Sequence, residues 1–278
     1  MATPRLAKVR LTGADGGPLR LDVRSAATRE APRPAVIICH GFKGFKDWGF
    51  FPRLAERLAL AGFTAVSFNF SGSGVGEGEE FDELERWGRQ RPTADLEDIQ
   101  TVVDFVTDGG SPWVGLVGHS RGGGLAVLHT ARDERVRALV TWAAIDGFGR
   151  WPEEDVRRWR AEGKIDVVNT RTGQVLPIFR EALDDFDAHR DGALDVLAAA
   201  ARIVAPWLIV HGTADSSVPQ AEAARLKQRS PSAATQLWLV EGADHTFGAR
   251  HPWAGTTPQL AQVMDRTVRF LSDALPRP

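Results

Sequence analysis

Short runs of Val, Ile, Leu and Phe alternate along this chain with segments in which apolar residues recur every three or four positions. Such a pattern predicts buried strands separated by amphipathic helices, and hence a mostly parallel sheet with helices on both faces. The runs 7–11 and 19–23 predict an opening antiparallel pair, turned at Gly16-Gly17. The run 36–39 predicts the first central strand. Leu54, Leu58 and Ala61 predict a helix over 51–61, with Gly62 as its C-cap, leading into a strand over 65–70. Thr93 is the expected cap of a helix over 94–106, whose stripe is Leu96, Ile99, Val103 and Val106. Further strands are predicted over 113–117, 138–143, 207–211 and 236–240, with a helix over 122–132 after the first of them.

Between the strand ending near Ala143 and the strand starting near Trp207 lie roughly sixty residues, several times the usual connection in such a fold. The runs 165–168 and 174–178 flank Asn169-Thr170-Arg171-Thr172-Gly173 and predict a hairpin, with Phe148, Trp151, Trp159, Phe179 and Phe186 as apolar material around it. The expected organisation is therefore a core formed by 1–144 and 204–278 and an inserted cap over 145–203 that covers a site.

The strongest chemical signal is Gly118-His119-Ser120-Arg121-Gly122, placed after a strand and before a helix. A serine there occupies a sharp turn whose flanking glycines keep side chains off the crowded backbone, the G-x-S-x-G nucleophile elbow. Two further groups follow in the order such a site requires: Asp215 after the strand 207–211 and His245 after the strand 236–240. A serine hydroxyl needs an imidazole to take its proton as it attacks an acyl carbon, and that base needs a carboxylate to fix its tautomer. Ser120 is thus the candidate nucleophile, His245 the base and Asp215 the orienting acid. Asp244 adjoins His245 too closely to reach its far ring nitrogen and is expected to shape the loop. The oxyanion donors expected are the backbone N–H groups of Arg121 and Phe42, the latter in a loop shaped by His40-Gly41. His40, Trp48, His119, Trp151 and Trp159 are the candidates for contact with substrate, and the Arg121 guanidinium is expected to make a structural ion pair.

Other motifs fail on chemistry. Ser71-Gly72-Ser73-Gly74-Val75-Gly76-Glu77-Gly78 lacks the Lys-Ser/Thr ending of a phosphate loop, and Glu77, Glu79 and Glu80 would repel phosphate; a flexible loop near the site mouth is expected. The run Asp185, Asp187, His189, Asp191 misplaces its glycine for a calcium loop and reads as a solvated helix entry. Neither an H-E-x-x-H nor a cysteine pair supports zinc, so no metal or organic cofactor is expected. Lys and Arg number 34 against 36 Asp and Glu, a net charge of −2, which implies neither nucleic acid nor an anionic membrane as partner. One cysteine, Cys39, and the lack of a long apolar segment lead to the expectation of a cytoplasmic protein acting on a small-molecule ester.

Taken with His40-Gly41-Phe42-Lys43-Gly44, the run 63–70 leading into Ser71-Gly72-Ser73-Gly74, His211-Gly212-Thr213-Ala214-Asp215 with Val218-Pro219, and Gly242-Ala243-Asp244-His245-Thr246-Phe247, the elbow makes the chain resemble an α/β-hydrolase of the cinnamoyl and feruloyl esterase-like group, and more distantly the dienelactone hydrolases. The resemblance runs from about Ala35 to the C-terminus. It implies the α/β-hydrolase fold, a cap with a hairpin at 145–203, and a serine carboxylic-ester hydrolase working through an acyl-enzyme. The cysteine nucleophile of dienelactone hydrolases is replaced here by Ser120, and the cap tyrosine with which some feruloyl esterases hold a phenolic end has no counterpart, because the chain contains no tyrosine. The competing readings are a serine peptidase, amidase or thioesterase on the same fold, and a catalytically silent ligand-binding protein.

Overall fold

The structure, a computed structural model, describes residues 3–26 and 32–276. Its chain order is β1 (Arg5–Thr12), β2 (Pro18–Ser25), β3 (Ala35–Cys39), α1 (Phe51–Leu60), β4 (Thr64–Asn69), a 3-10 turn (Ser71–Ser73), α2 (Leu84–Gly88), α3 (Pro92–Asp108), β5 (Val114–His119), α4 (Arg121–Thr130) and β6 (Val136–Trp142). Then come α5 (Glu153–Glu162), β7 (Lys164–Val168), β8 (Val175–Phe179), α6 (Arg180–His189), α7 (Val196–Ala200), β9 (Trp207–Gly212), α8 (Gln220–Arg229), β10 (Thr235–Val240) and α9 (Pro258–Asp273). Eight strands form one sheet in the order β1-β2-β4-β3-β5-β6-β9-β10. β1, β2 and β4 pair antiparallel, and every pairing from β4 to β10 is parallel.

Strand side chains alternate faces, so each central strand feeds two cores. In β3, Ala35, Ile37 and Cys39 face the core packed by α3, α4, α7 and α8, whereas Val36 and Ile38 face the one packed by α1 and α9. β9 divides in the same way, with Trp207 and Ile209 on the first face and Leu208 and Val210 on the second. This double burial is why these strands read as unbroken apolar runs rather than as alternating ones. The predicted stripe of α3 is buried, but the helix begins two residues before the expected start. Pro92 holds its first position and Arg91 its N-cap. Thr93 is therefore not a cap: its Oγ1 donates to Asp185 Oδ1 at 2.5 Å and its amide to Asp185 Oδ2 at 3.1 Å.

Of the long connection between β6 and β9, α5, the antiparallel hairpin β7–β8 and α6 gather around a third apolar cluster with Phe45, Phe81 and Trp87. Its last part behaves differently. Leu194, Val196, Ala199, Ala200 and Ile203 belong to the main core with α4 and α8. The hairpin is tied down by Gln174 Nε2, which donates to the Phe81 carbonyl at 2.8 Å, and by Lys43 Nζ, which donates to the Val168 carbonyl at 3.2 Å.

Two expectations for loops are corrected. Residues 71–78 do not form a flexible loop: Ser71, Ser73 and Val75 are buried, Asp98 accepts the Ser71 amide at 2.7 Å, and Val75 bridges Phe81. Glu77 is taken up by Arg10 and Arg20. Asp185 and Asp187 lie within α6 rather than at its entry, and Asp185 is half-buried, bonded to Thr93. Among the described residues no helix is long and apolar enough to cross a membrane.

Candidate active site

The groups singled out in the sequence sit on loops leaving the C-terminal ends of parallel strands: Phe42 after β3, Ser120 after β5, Asp215 after β9 and His245 after β10. Loops at that edge converge above the sheet, which is where open α/β sheets place their ligands. Ser120 joins β5 to α4 with φ 56 and ψ −121, a conformation that side-chain-bearing residues rarely adopt and that the surrounding structure must enforce. Its amide donates to the Trp142 carbonyl at 2.9 Å and its carbonyl accepts from Gly123 at 2.9 Å, so the turn is bonded on both sides. The glycines are required by space. A Cβ on Gly118 would lie 2.3 Å from the Gly122 carbonyl oxygen, and one on Gly122 would lie 2.3 Å from that of His40.

Asp215 is held by four donors. Oδ1 accepts the amides of Ser217 at 2.8 Å and Val218 at 2.9 Å; Oδ2 takes His245 Nδ1 at 2.8 Å and has His211 Nε2 at 3.3 Å. Burial works to raise its pKa, but the bonds from His211, His245 and the Val218 amide outweigh it and hold the carboxyl well below the ordinary range. With Nδ1 engaged by the acid, His245 keeps Nε2 for the cavity. That cavity, of about 440 Å³, is lined by Ser120 and His245 together with Phe42 and Arg121. The amides of Phe42 and Arg121 make none of the hydrogen bonds among the described residues, which leaves two N–H donors beside the serine. The Ser120 hydroxyl likewise makes no hydrogen bond there, so Ser120 and His245 share a cavity wall without a direct bond.

The far wall comes from the connection between β6 and β9: Ile145, Phe148, Trp151, Trp159, Ile178, Leu183 and Phe186. Trp151 and Trp159 stack edge to face with centroids 5.3 Å apart, and the Trp159 Nε1–H is buried with no partner among the described residues. These two of the five candidate contact residues reach the cavity. The other three do not. His40 is buried, bonded through Nδ1 to the Gly41 carbonyl at 2.9 Å and through Nε2 to the Phe70 amide at 3.3 Å, and so braces the loop that carries Phe42. Its burial, joined by the Arg121 charge, pushes its pKa down to about 4. His119 points away from the cavity, because successive strand residues face opposite sides; it packs on Phe50 and bonds the His245 carbonyl at 3.0 Å. Burial and the neighbouring His245 push its pKa down to about 3. Trp48 lies between Phe50 and His251, outside the cavity.

The Arg121 guanidinium pairs with Asp95 at 2.6 Å, as anticipated in kind, although the acid was not foreseen. Asp95 is almost wholly buried, and desolvation raises its pKa to about 7, aided by Asp98 and Asp185 and opposed by Arg121. Asp244 accepts the amides of Thr246 and Gly248 and shapes the histidine loop. Sequence reasoning also missed His211, read only as a strand end. Its signal was the spacing His211-Gly-x-x-Asp215, which returns the chain so that residue i+4 faces residue i. Cys39 is buried, and burial pushes its thiol far above its ordinary pKa, so it offers no thiolate. Among the described residues no cluster of His, Cys, Asp and Glu could hold a metal ion.

Comparison with known proteins bears on the fold. Residues 34–162 match the family model described as the alpha/beta hydrolase fold. An uncharacterized 31.7 kDa protein of Escherichia coli is 32% identical over 114 residues, 40% of this chain and 37% of that protein. The 2,6-dihydropseudooxynicotine hydrolase of Paenarthrobacter nicotinovorans is 25% identical over 236 residues, 83% of this chain and 57% of that enzyme. The chain thus matches less than two thirds of the length of either curated relative. Est1E of Butyrivibrio proteoclasticus, solved with ferulic acid bound, superposes with a TM-score of 0.75 at 19% identity, covering 96% of this chain and 98% of that one.

Proposed function

We propose that this chain, an alpha/beta hydrolase by fold, is a serine carboxylic-ester hydrolase acting on small or medium esters, with Ser120, His245 and Asp215 as its triad. The observation that carries the reading is the joint one: a serine held at φ 56 and a histidine anchored to a four-fold-bonded aspartate line one cavity, beside two amides the fold leaves unused. In the reaction Ser120 Oγ attacks the acyl carbon while His245 takes its proton. The Phe42 and Arg121 amides receive the negative charge that develops on the carbonyl oxygen. His245 then gives the proton to the departing alcohol, activates a water against the acyl-enzyme, and the acid leaves. Asp215 stabilises the imidazolium that forms in both steps.

The apolar wall supports an acyl group of aromatic or branched character, seated between Trp151, Trp159, Ile178 and Leu183. The deciding experiment is labelling and turnover. Wild-type protein should be modified by a fluorophosphonate at Ser120 and should hydrolyse p-nitrophenyl esters, and Ser120→Ala should lose at least ~10³-fold in kcat, since removal of a triad member costs more than that in serine hydrolases. Wild-type turnover by Ser120→Ala refutes the reading. Turnover of aminoacyl amides or thioesters in preference to oxygen esters would redirect it within the same mechanism.

A further inference from the structure

The charge in the cavity wall is one-sided. Apart from His245 the charged residues lining it are Lys43, Arg121 and Arg150, and no Asp or Glu among the described residues lines it. Two of these cations are matched from behind: Arg121 by Asp95 at 2.6 Å, and Arg150 by Glu222 at 2.5 Å, with a further bond from Arg150 Nη2 to the Ser217 carbonyl at 3.0 Å. Lys43 is not. Its Nζ gives one hydrogen bond, to the Val168 carbonyl, and has no carboxylate within ion-pair distance among the described residues. Burial alone lowers its pKa, with no acid acting in the other direction.

The backbone at Lys43 sharpens the point. Lys43 is the third residue of a turn closed by Gly44 N–H on the Gly41 carbonyl at 3.0 Å, and its φ is 56. Positive φ at that place in a turn ordinarily selects Gly or Asn, and a lysine there sits in strained backbone at a cost of about 1 kcal/mol or more. Glycine would fit this turn more easily, so the turn itself does not call for the ammonium group. The side chain stands next to Phe42, whose amide is the proposed oxyanion donor, and bridges to the rim strand β7.

We infer that Lys43 is a specificity-determining residue that pairs with a carboxylate carried by the substrate, which makes the substrate class acidic monoesters: esters in which one part keeps a free carboxylate. The inference rests on the hydrolase reading for the reaction but not for the binding. An anion held here completes the ion pair that the fold leaves open, and its attraction is strengthened by the apolar walls on the other side of the cavity.

Two matched ester pairs and one binding measurement test this. Monoethyl adipate against diethyl adipate places the carboxylate on the acyl side; acetoxyacetate against ethyl acetoxyacetate places it on the alcohol side. In one pair or the other, wild-type kcat/KM should favour the charged member by ~2- to 5-fold at low ionic strength, the scale of a partly exposed ion pair, and the ratio should shrink as salt is added. Lys43→Gly should bring that ratio to about one with the protein still folded in thermal melts, and Lys43→Arg should restore it. Binding of adipate to Ser120→Ala protein, read by calorimetry, should weaken by a similar factor when Lys43→Gly is added. A charged-to-neutral ratio near one in both wild-type pairs, a preference that survives Lys43→Gly, or adipate binding indifferent to residue 43 overturns the proposal. Should no ester be turned over while adipate binding still depends on Lys43, the hydrolase reading falls and the anion site stands.

Discussion

His211 brings Nε2 to 3.3 Å from Asp215 Oδ2, the oxygen that His245 Nδ1 bonds at 2.8 Å. The same Nε2 lies 2.8 Å from the Val218 carbonyl, so it carries the proton and shares it between the two oxygens. His211 Nδ1 is buried without a partner among the described residues. His211 thus ties the acid to the strand from which it departs. A hydrogen bond to a charged group is worth ~1.5–3 kcal/mol, so His211→Asn should lower kcat by ~10- to 100-fold with KM little changed. Steady-state kinetics on the folded variant checks this; a wild-type kcat would show that Asp215 holds its orientation through Ser217 and Val218 alone.

Space at the elbow gives a second expectation. A Cβ on Gly122 would meet backbone oxygens of His40 and Cys39 at 2.3 and 2.5 Å, neither of which can move without shifting β3 or the loop that follows it. Gly122→Ala should therefore destabilise the protein by ~3 kcal/mol or more and abolish fluorophosphonate labelling. Gly147→Ala, with nothing within 4 Å of its Cβ, is the matched control and should be near neutral in thermal melts.

Acid should unfold this protein through its histidines. The fold depresses the pKa of His40 to about 4 and of His119 to about 3, chiefly by burial. Between those values and the ordinary ~6.5 the unfolded chain binds more protons than the folded one, so stability falls as pH is lowered from ~6.5 toward 3. The depressed Asp215 adds to the loss below the ordinary carboxylate range. Asp95 has the opposite sign, because its raised pKa of about 7 makes its contribution complete in acid and lost as pH rises through neutrality. Melting temperature against pH should therefore decline on the acid side, and Asp95→Asn, which removes the opposing contribution between pH ~4 and ~7, should steepen the decline there and leave the slope above pH ~7 unchanged. A curve for Asp95→Asn parallel to wild type between pH ~4 and ~7 would show that the carboxyl stays ionised beside Arg121.

Much of this was legible in the chain, because strands buried on both faces leave unbroken apolar runs and a serine in a strained turn leaves its flanking glycines. The meeting of Ser120, Asp215 and His245 at one sheet edge could be expected from chain order, because each follows its own strand. What escaped depends on side-chain direction and on partners far apart in sequence. His119 precedes the nucleophile yet faces the other way by strand alternation, and Trp48 is drawn off by Phe50 and His251. The five-residue α2 is too short to show a period, and Thr93 resembled a cap only because Asp185, its partner in space, lies 92 positions away. Arg121 was assigned an ion pair without Asp95, since nothing local links α3 to the elbow.

The connection that walls the cavity leaves β6 at Trp142 and returns at Trp207 on β9, the neighbouring strand. Some crossover must join those two parallel strands whatever its content, and lengthening a connection costs little in chain entropy. Variation can therefore accumulate in the segment that walls the cavity while Ser120, Asp215 and His245 stay on loops it does not encode. An architecture of this kind lets the cavity wall diverge without disturbing the residues gathered at the sheet edge.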